Sequence, residues 1–415
     1  MSGPPRMRLR GLVLDTAPLR HDPEYRLLWL GQVVSNTGNQ ITRIALPYHV
    51  YVLTGSTLAI AALTAAQLVP LLLFALGAGS LADAVDRRKL LIATQVGLAG
   101  CSVALVAISL MPAPPVVALF AVAFAAAGLG AVDHPTRMAS IARLVAPERI
   151  PAAMALNQVN WQAAQVVGPA IGGVLIATLG LPGAYAADLV TFIASIGALL
   201  AMRPILPLVD AVRPGLAAIR EGLRFAARKR VILSTFVIDL DAMIFGMPTS
   251  LFPVLALDVF KAGPTGLGLL AAAPAAGALI GALLSGWVST VRRVGRAVVI
   301  AVTLWGVAIT LFGLSTFSFW LALAFLAIAG AADVLSAVFR STIVQLETPD
   351  ELRGRVSSIH ILTVSSGPRI GDIEAAAVAS IVGAQASIVS GGILCLIGIL
   401  GVVKVFPELP RHIRR

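Results

Sequence analysis

Apolar runs of roughly 20 residues recur from one end of this 415-residue chain to the other, each about long enough to cross a hydrocarbon core of about 30 Å. They read as membrane-spanning helices near residues 27–52, 58–82, 90–112, 115–138, 152–178, 183–202, 231–256, 266–290, 297–314, 317–340, 357–382 and 385–406. Composition agrees: 58% of the residues are hydrophobic and 12% charged. Soluble domains carry about a quarter charged residues, so a fold in water would expose too much apolar surface. The segments between spans are mostly short and leave no room for a soluble catalytic domain. The expected fold class is all-α integral membrane, with twelve transmembrane helices.

The distribution of charge decides which way the spans run. The formal net charge is +11, yet of 31 Lys and Arg all but Arg43, Lys261 and Arg369 fall in the termini, alternate loops or span ends on one side. That is the positive-inside pattern of a membrane protein, so no nucleic-acid partner is expected and both termini are placed in the cytoplasm. The opposite loops, such as residues 53–57, 111–115 and 178–184, are almost uncharged. The segment 1–26 is polar and rich in Pro and Arg, without the early apolar core of a cleavable signal peptide. Cys101 and Cys395 lie within spans and read as small apolar packing residues rather than a disulfide.

A long internal repeat divides the chain. GAVDHPTRMASIARLVAPERI from Gly130 aligns with GAADVLSAVFRSTIVQLETPDEL from Gly330, which sets Asp133, Arg137, Pro147 and Glu148 against Asp333, Arg340, Pro349 and Asp350. GPAIGG from Gly168 is echoed by GPRIGD from Gly367. Two pseudo-symmetric six-helix halves are expected at 27–202 and 231–406, flanked by the cytoplasmic segment 1–26 and tail 407–415 and joined by the cytoplasmic linker 203–230. In the linker Leu216, Ile219 and Leu223 share a helical face while Arg220, Arg224 and Arg228 lie elsewhere. It reads as an amphipathic helix on the anionic leaflet.

The stretch GSLADAVDRRK, residues 79–89, sets Gly79 and Asp83 ahead of Arg87, Arg88 and Lys89. A carboxylate at a helix end sits well against the positive N-terminus of a neighbouring helix, while the arginines seek an acid. Together with the two halves, this loop resembles the signature between spans two and three of the major facilitator superfamily, and the resemblance covers nearly the whole chain. It departs from that signature at Ala84, often a basic residue there, and at Asp86, often Gly. The resemblance implies the major facilitator fold and a gating loop, with Asp83 facing the start of span eleven and Arg87 paired with Asp133 on span four. These contacts would form in one transporter state and break in the other. The second half keeps only Gly286 followed by RRVGR from Arg292, without the acid.

In span five, Gly168, Pro169, Gly172 and Gly173 resemble the core of a signature of proton-coupled drug exporters in that superfamily, although Ala155 and Ala164 stand where it has further glycines. Proline removes a backbone donor and glycines admit a neighbouring helix, so a helix bend is expected there. WLGQVVSNTGNQITRIALPYHVYVLTGS in span one, VAPERIPAAMALNQ before span five and TPDELRGRVSSI before span eleven are similar to a bacterial exporter branch, the one that includes the enterobactin exporter and macrolide and multidrug efflux proteins. That branch implies export. The residues alone leave direction open, and import would use the same ones.

Polar groups at membrane depth are costly and mark cavities or pairs. Counting along the spans puts Asn36, Asn39, Gln40, Asp239, Asp241, Arg369, Asp372 and Glu374 within about 10 Å of the midplane, where transporter sites lie. Gln158, Trp161, Gln162 and Gln165 form one stripe on span five. The stripe is either a substrate-cavity wall for polar, aromatic-containing molecules or glue between helices. Asp239 and Asp241 point about 200° apart on a helix, so only one of them can face a given cavity. One of the two is the expected proton-coupling acid, with Arg43 as counter-ion; a buried ion pair is the other reading. Arg369 and Asp372, three apart, are expected to neutralise each other. Asp188 reads as structural, and His49, His134 and His360 are too scattered to bind a metal.

No Walker A sequence occurs, and no nucleophile, base or metal set converges as an enzyme requires. A scaffold or receptor has no need of the repeat, the loop signature or the midplane carboxylates. The expectation is a secondary active transporter in a bacterial-type cytoplasmic membrane, working as a monomer without a cofactor. Its partners are a small amphipathic substrate (a drug-like compound, siderophore or other metabolite), protons in antiport and membrane lipid.

Overall fold

The computed structural model describes residues 15–75, 85–205, 224–349 and 352–413. No strand occurs among them, and long helices succeed one another through short reversals. Span one is Pro23–Thr54, span two Thr57–Ala75, span three Arg87–Ser109 and span four Val116–Leu144. Spans five and six are two legs of Ile150–Ala201, which breaks at Gly180, where φ 69° and ψ −174° suit only glycine. The chain must double back there, because both ends of this helix meet the start of span one. Tyr25 donates to the Ala153 carbonyl at 2.8 Å, and the Arg203 N–H donates to Glu24 at 2.9 Å.

Span seven is Arg230–Phe245, continued after a break by short helical turns from Thr249 to Val259. Spans eight to twelve are Gly263–Leu283, Val294–Leu314, Phe319–Glu347, Arg353–Val382 and Ala384–Val405. Nine helices among the described residues are long and apolar enough to cross a membrane, the doubled Pro147–Ala201 being one of them. Spans one and eleven are as long but more polar. A polar helix inside an apolar bundle is where a cavity is to be sought.

Polar bonds tie the helix ends together at the side that carries both described chain ends. In the first half Arg149 pairs with Asp22 at 3.2 Å, and the Ile205 N–H donates to Asp86 at 3.2 Å. In the second, Arg230 pairs with Glu408 at 2.9 Å, and the Gly295 N–H donates to the His412 carbonyl at 3.3 Å. The first half keeps its own apolar cores, while the second is built around one large cluster from Ile238 to Leu409 that takes in Ala61 of span two.

Among the described residues, contacts between the halves gather on the far side, away from the termini. Span two packs on span eleven, and span five on span eight. A β-carbon on Gly173 would stand 2.6 Å from the Pro264 carbonyl oxygen and 2.9 Å from the Gly268 Cα, so these two helices touch backbone to backbone. The Tyr51 hydroxyl of span one donates to Asp258 at the far end of span seven.

Gly173→Val overpacks this crossing and is expected to destabilise the protein by about 1–3 kcal/mol. The readout is a lower melting temperature in detergent, set against an unchanged one for Gly100→Val, whose added side chain meets open space.

Candidate functional site

Span one presents Asn39 and Arg43, one turn apart and both exposed. An Arg facing lipid at mid-membrane costs about 2.5–3.5 kcal/mol, so these groups face wet space. Arg43 lies within electrostatic reach of Arg369 and Asp372 on span eleven. Cations from opposite halves therefore approach each other at the seam. Arg369 is held by its own helix, donating to the Ser365 carbonyl at 2.7 Å.

On span five Gln158 and Trp161 are exposed, and Gln165 donates to Gln162 at 3.1 Å. Trp161 stands edge-on to His134 of span four, with ring centroids 6.1 Å apart. The stripe thus joins span four in one aromatic and amide wall. Gln40 does not belong to it. It is buried against Gly168, where an added β-carbon would come within 2.5 Å of the Gln40 Cβ, so it fills the seam between spans one and five. Asn36 is half-buried beside that seam.

The span-five motif serves contact on two faces. Gly168 and Gly172 lie against Thr37, Gln40, Ile41 and Ile44 of span one, and Gly173 lies against span eight. The helix runs on through Pro169.

Span seven is interrupted at Gly246-Met247-Pro248, and the freed backbone donors are met from span eleven. The Thr249 hydroxyl and the Ser250 N–H donate to Asp372 Oδ1 at 2.6 and 2.7 Å, and the Ser250 hydroxyl donates to the Asp372 carbonyl at 2.8 Å. Asp372 thus caps a broken helix instead of serving only to neutralise Arg369. Gly367 and Gly371 admit span seven at this level, lying against Met243. The proline and glycine signal was present in the sequence, but span seven reads there as one run.

Asp239 is in a buried ion pair, and its partner is Arg340 of span ten rather than Arg43. Arg340 also stands 3.8 Å from Asp333. Asp241 points elsewhere, against Gly398 and Cys395 of span twelve, where it lines a 380 Å³ groove with Val237, Val402 and Phe406. All residues lining that groove belong to the second half, so Asp241 lies away from the seam. The repeat pointed to Asp333 and Arg340, but the sequence carried no sign that Asp239 would meet them.

The first half meets its own buried acid with three donors. Asp133 accepts from Thr94 at 2.7 Å, Gln95 at 3.0 Å and Arg137 at 2.6 Å. The Arg87 guanidinium, expected to reach Asp133 in one transporter state, donates here to the Ala139 carbonyl at 2.9 Å. Gly79 and Asp83 lie outside the described residues, as do Leu216, Ile219, Arg220 and Leu223 of the linker and Asp350. Asp86, a departure from the loop signature, caps span three by accepting from the Arg88 N–H at 2.9 Å. Arg88 covers the last carbonyls of span six, at Leu199 and Leu200, at 2.8 and 2.7 Å. Asp188 joins three spans, accepting from Thr42 at 2.6 Å and Ser102 at 2.9 Å. Among the described residues no group of His, Cys, Asp and Glu is placed to hold a metal.

Residues 14–412 match the transmembrane secretion effector family. The enterobactin exporter EntS of Escherichia coli strain K12 is 27% identical, over 99% of this chain and 98% of its own. The exporter of the same name from Citrobacter koseri is 26% identical, over 88% and 87%. Among solved structures, a bacterial homologue of the iron transporter ferroportin in the inward-facing state superimposes with a TM-score of 0.72, at 16% identity, over 94% of this chain and 98% of that one. A bacterial homologue of the human lysosomal transporter Spinster, inward-facing and unoccupied, gives 0.73 at 14% identity, over 95% and 99%. The fold is that of the major facilitator transporters.

Removing the cap in Asp372→Ala leaves the Thr249 and Ser250 donors bare and is expected to cost about 0.5–2 kcal/mol. A thermal melt reads the loss, and Asp372→Asn, which keeps an acceptor oxygen, should recover most of it.

Proposed function

The chain belongs to the transmembrane secretion effector family of major facilitator transporters, and on that premise we propose that it is a proton-coupled exporter. In this reading it carries small amphipathic molecules out of the cytoplasm by alternating access. The observation that carries the proposal is that Arg43, exposed with Asn39 on one half, lies within electrostatic reach of Arg369 on the other, while the described contacts between the halves lie on the far side. With both termini in the cytoplasm, that arrangement is the loading state of an exporter.

The lining defines the substrate class. Trp161 and His134 offer faces and edges to an aromatic or apolar body, the glutamines offer amide bonds, and the two arginines suit a carboxylate, phenolate or other oxygen-rich group. A siderophore or similar secreted metabolite carries such groups, and the likeness to the enterobactin exporter supports this choice. Each half moves as a body about the small-residue crossing of spans five and eight, and one chain contains the whole pathway.

Inside-out vesicles with a respiration-driven proton gradient and a lumenal pH dye test the proposal, challenged with enterobactin, erythromycin and ethidium. At least one probe should dissipate the gradient in vesicles that contain the protein and not in empty-vector vesicles. Dissipation by none, with insertion verified, rejects coupled export. For a responsive anionic probe, Arg43→Ala and Arg369→Ala each remove a charge-assisted bond of about 1.5–3 kcal/mol, which weakens apparent affinity about 10- to 100-fold.

A further inference from the structure

The two halves keep different charge inventories in their buried interiors. In the first, Asp133 meets one cation, Arg137, with two further donors from span three. In the second, one guanidinium serves two carboxylates. Arg340, 4% exposed, pairs with Asp239, 2% exposed, and its Nη2 stands 3.8 Å from Asp333 Oδ1. Among the described residues Asp239 Oδ2 meets no donor and Arg340 Nε–H meets no acceptor, so two carboxylates share one cation in a cluster whose hydrogen bonds are incomplete. A buried excess of negative charge is expensive in a membrane, and a bound proton is the smallest species that cancels it.

The two acids are not equivalent. Asp239 is sealed in its ion pair, whereas the Asp333 side chain is 38% exposed and only loosely held by the cation. We propose that Asp333 is the group that binds and releases the transported proton, with Arg340 as the positioning residue that passes between two arrangements. A proton on an Asp333 oxygen makes the neutral acid and leaves Arg340 to Asp239 alone. Its departure restores the carboxylate, and Arg340 is again shared. Substrate entering the seam changes the water that reaches Asp333, which links proton loss to substrate binding. This inference rests on the antiport reading above.

Other titratable groups near the cluster are few. Span seven contributes Asp239, and span eleven contributes His360, stacked 6.0 Å from the Phe236 ring and within electrostatic reach of both Asp239 and Arg340. Of the helices packed against span ten, span eight carries no titratable side chain, and span nine carries only Arg296 near its terminal-side end.

Infrared difference spectra of the purified protein in lipid nanodiscs, recorded as pH is stepped, test the assignment without a substrate. Wild type should show a protonated-carboxyl stretch that is missing from Asp333→Asn and retained in Asp241→Asn and His360→Gln. Asp239→Asn leaves one acid to one arginine, so the stretch should vanish there too although Asp333 is present. If Asp333→Asn fails to fold, an unchanged stretch in that second variant still overturns the assignment. Identical spectra for wild type and Asp333→Asn, or an unchanged stretch in Asp239→Asn, overturn the assignment. In the vesicle assay with a responsive probe, Asp333→Asn should keep substrate counterflow and lose proton release by at least tenfold. Wild-type vesicles that release no protons with any probe would sink the antiport reading itself, whereas proton release by Asp333→Asn at the wild-type rate would sink only this residue's role.

Discussion

A peptide group in hydrocarbon has no water to bond, so each interruption of a membrane helix must be answered by another part of the protein. The breaks in this chain follow that rule. Gly180 turns spans five and six on the far side, where only glycine takes the required backbone angles. The break in span seven lies deeper, and the carboxylate and carbonyl of Asp372 answer it. At the terminal side Asp86 and Arg88 do the same for the start of span three and the end of span six. Few points depart from helical geometry, and at these a side chain from one element is bound into the backbone of another.

Charge obeys the same constraint and separates the molecule into two internally bonded bodies. Asp133 with Thr94 and Gln95, Asp188 with Thr42 and Ser102, and Arg340 with Asp239 all tie helices within one half. Between the halves the described contacts are of another kind: small residues at Gly173 and Gly268, and the bond from Tyr51 to Asp258. Polar bonds tie the helices of each half together, while close-packed glycines of spans five and eight and the packing of span two on span eleven join the halves. Arg43 and Arg369, outside these internal pairs, lie within electrostatic reach of each other across the two halves.

The division between Asp239 and Asp241 illustrates how far periodicity reaches. Their spacing requires that they point apart, and they do, with one in an ion pair and the other against Gly398. Spacing could not say which neighbour each would meet. Gln40 is similar: four residues after Asn36 and three before Arg43 it shares their face by count, yet it packs against Gly168 of span five. The glycine and proline at Gly246 and Pro248 announced a break that an uninterrupted apolar run concealed.

By itself, the sequence determined that the chain is a bundle of membrane helices, where most of them begin and end, the repeat that aligns Asp133 with Asp333, and the polar residues that set spans one and eleven apart. These follow from hydropathy, charge and helical period, which are local properties summed along the chain. The tertiary structure alone decided that Thr94 and Gln95 of span three meet Asp133, that Arg340 is shared by two acids, that Asp372 caps span seven, and that the described contacts between the halves lie on the far side. Each of these depends on which helix faces which. A buried charge or a bare peptide group takes the partner that packing brings within about 3 Å, however far away that partner lies in sequence.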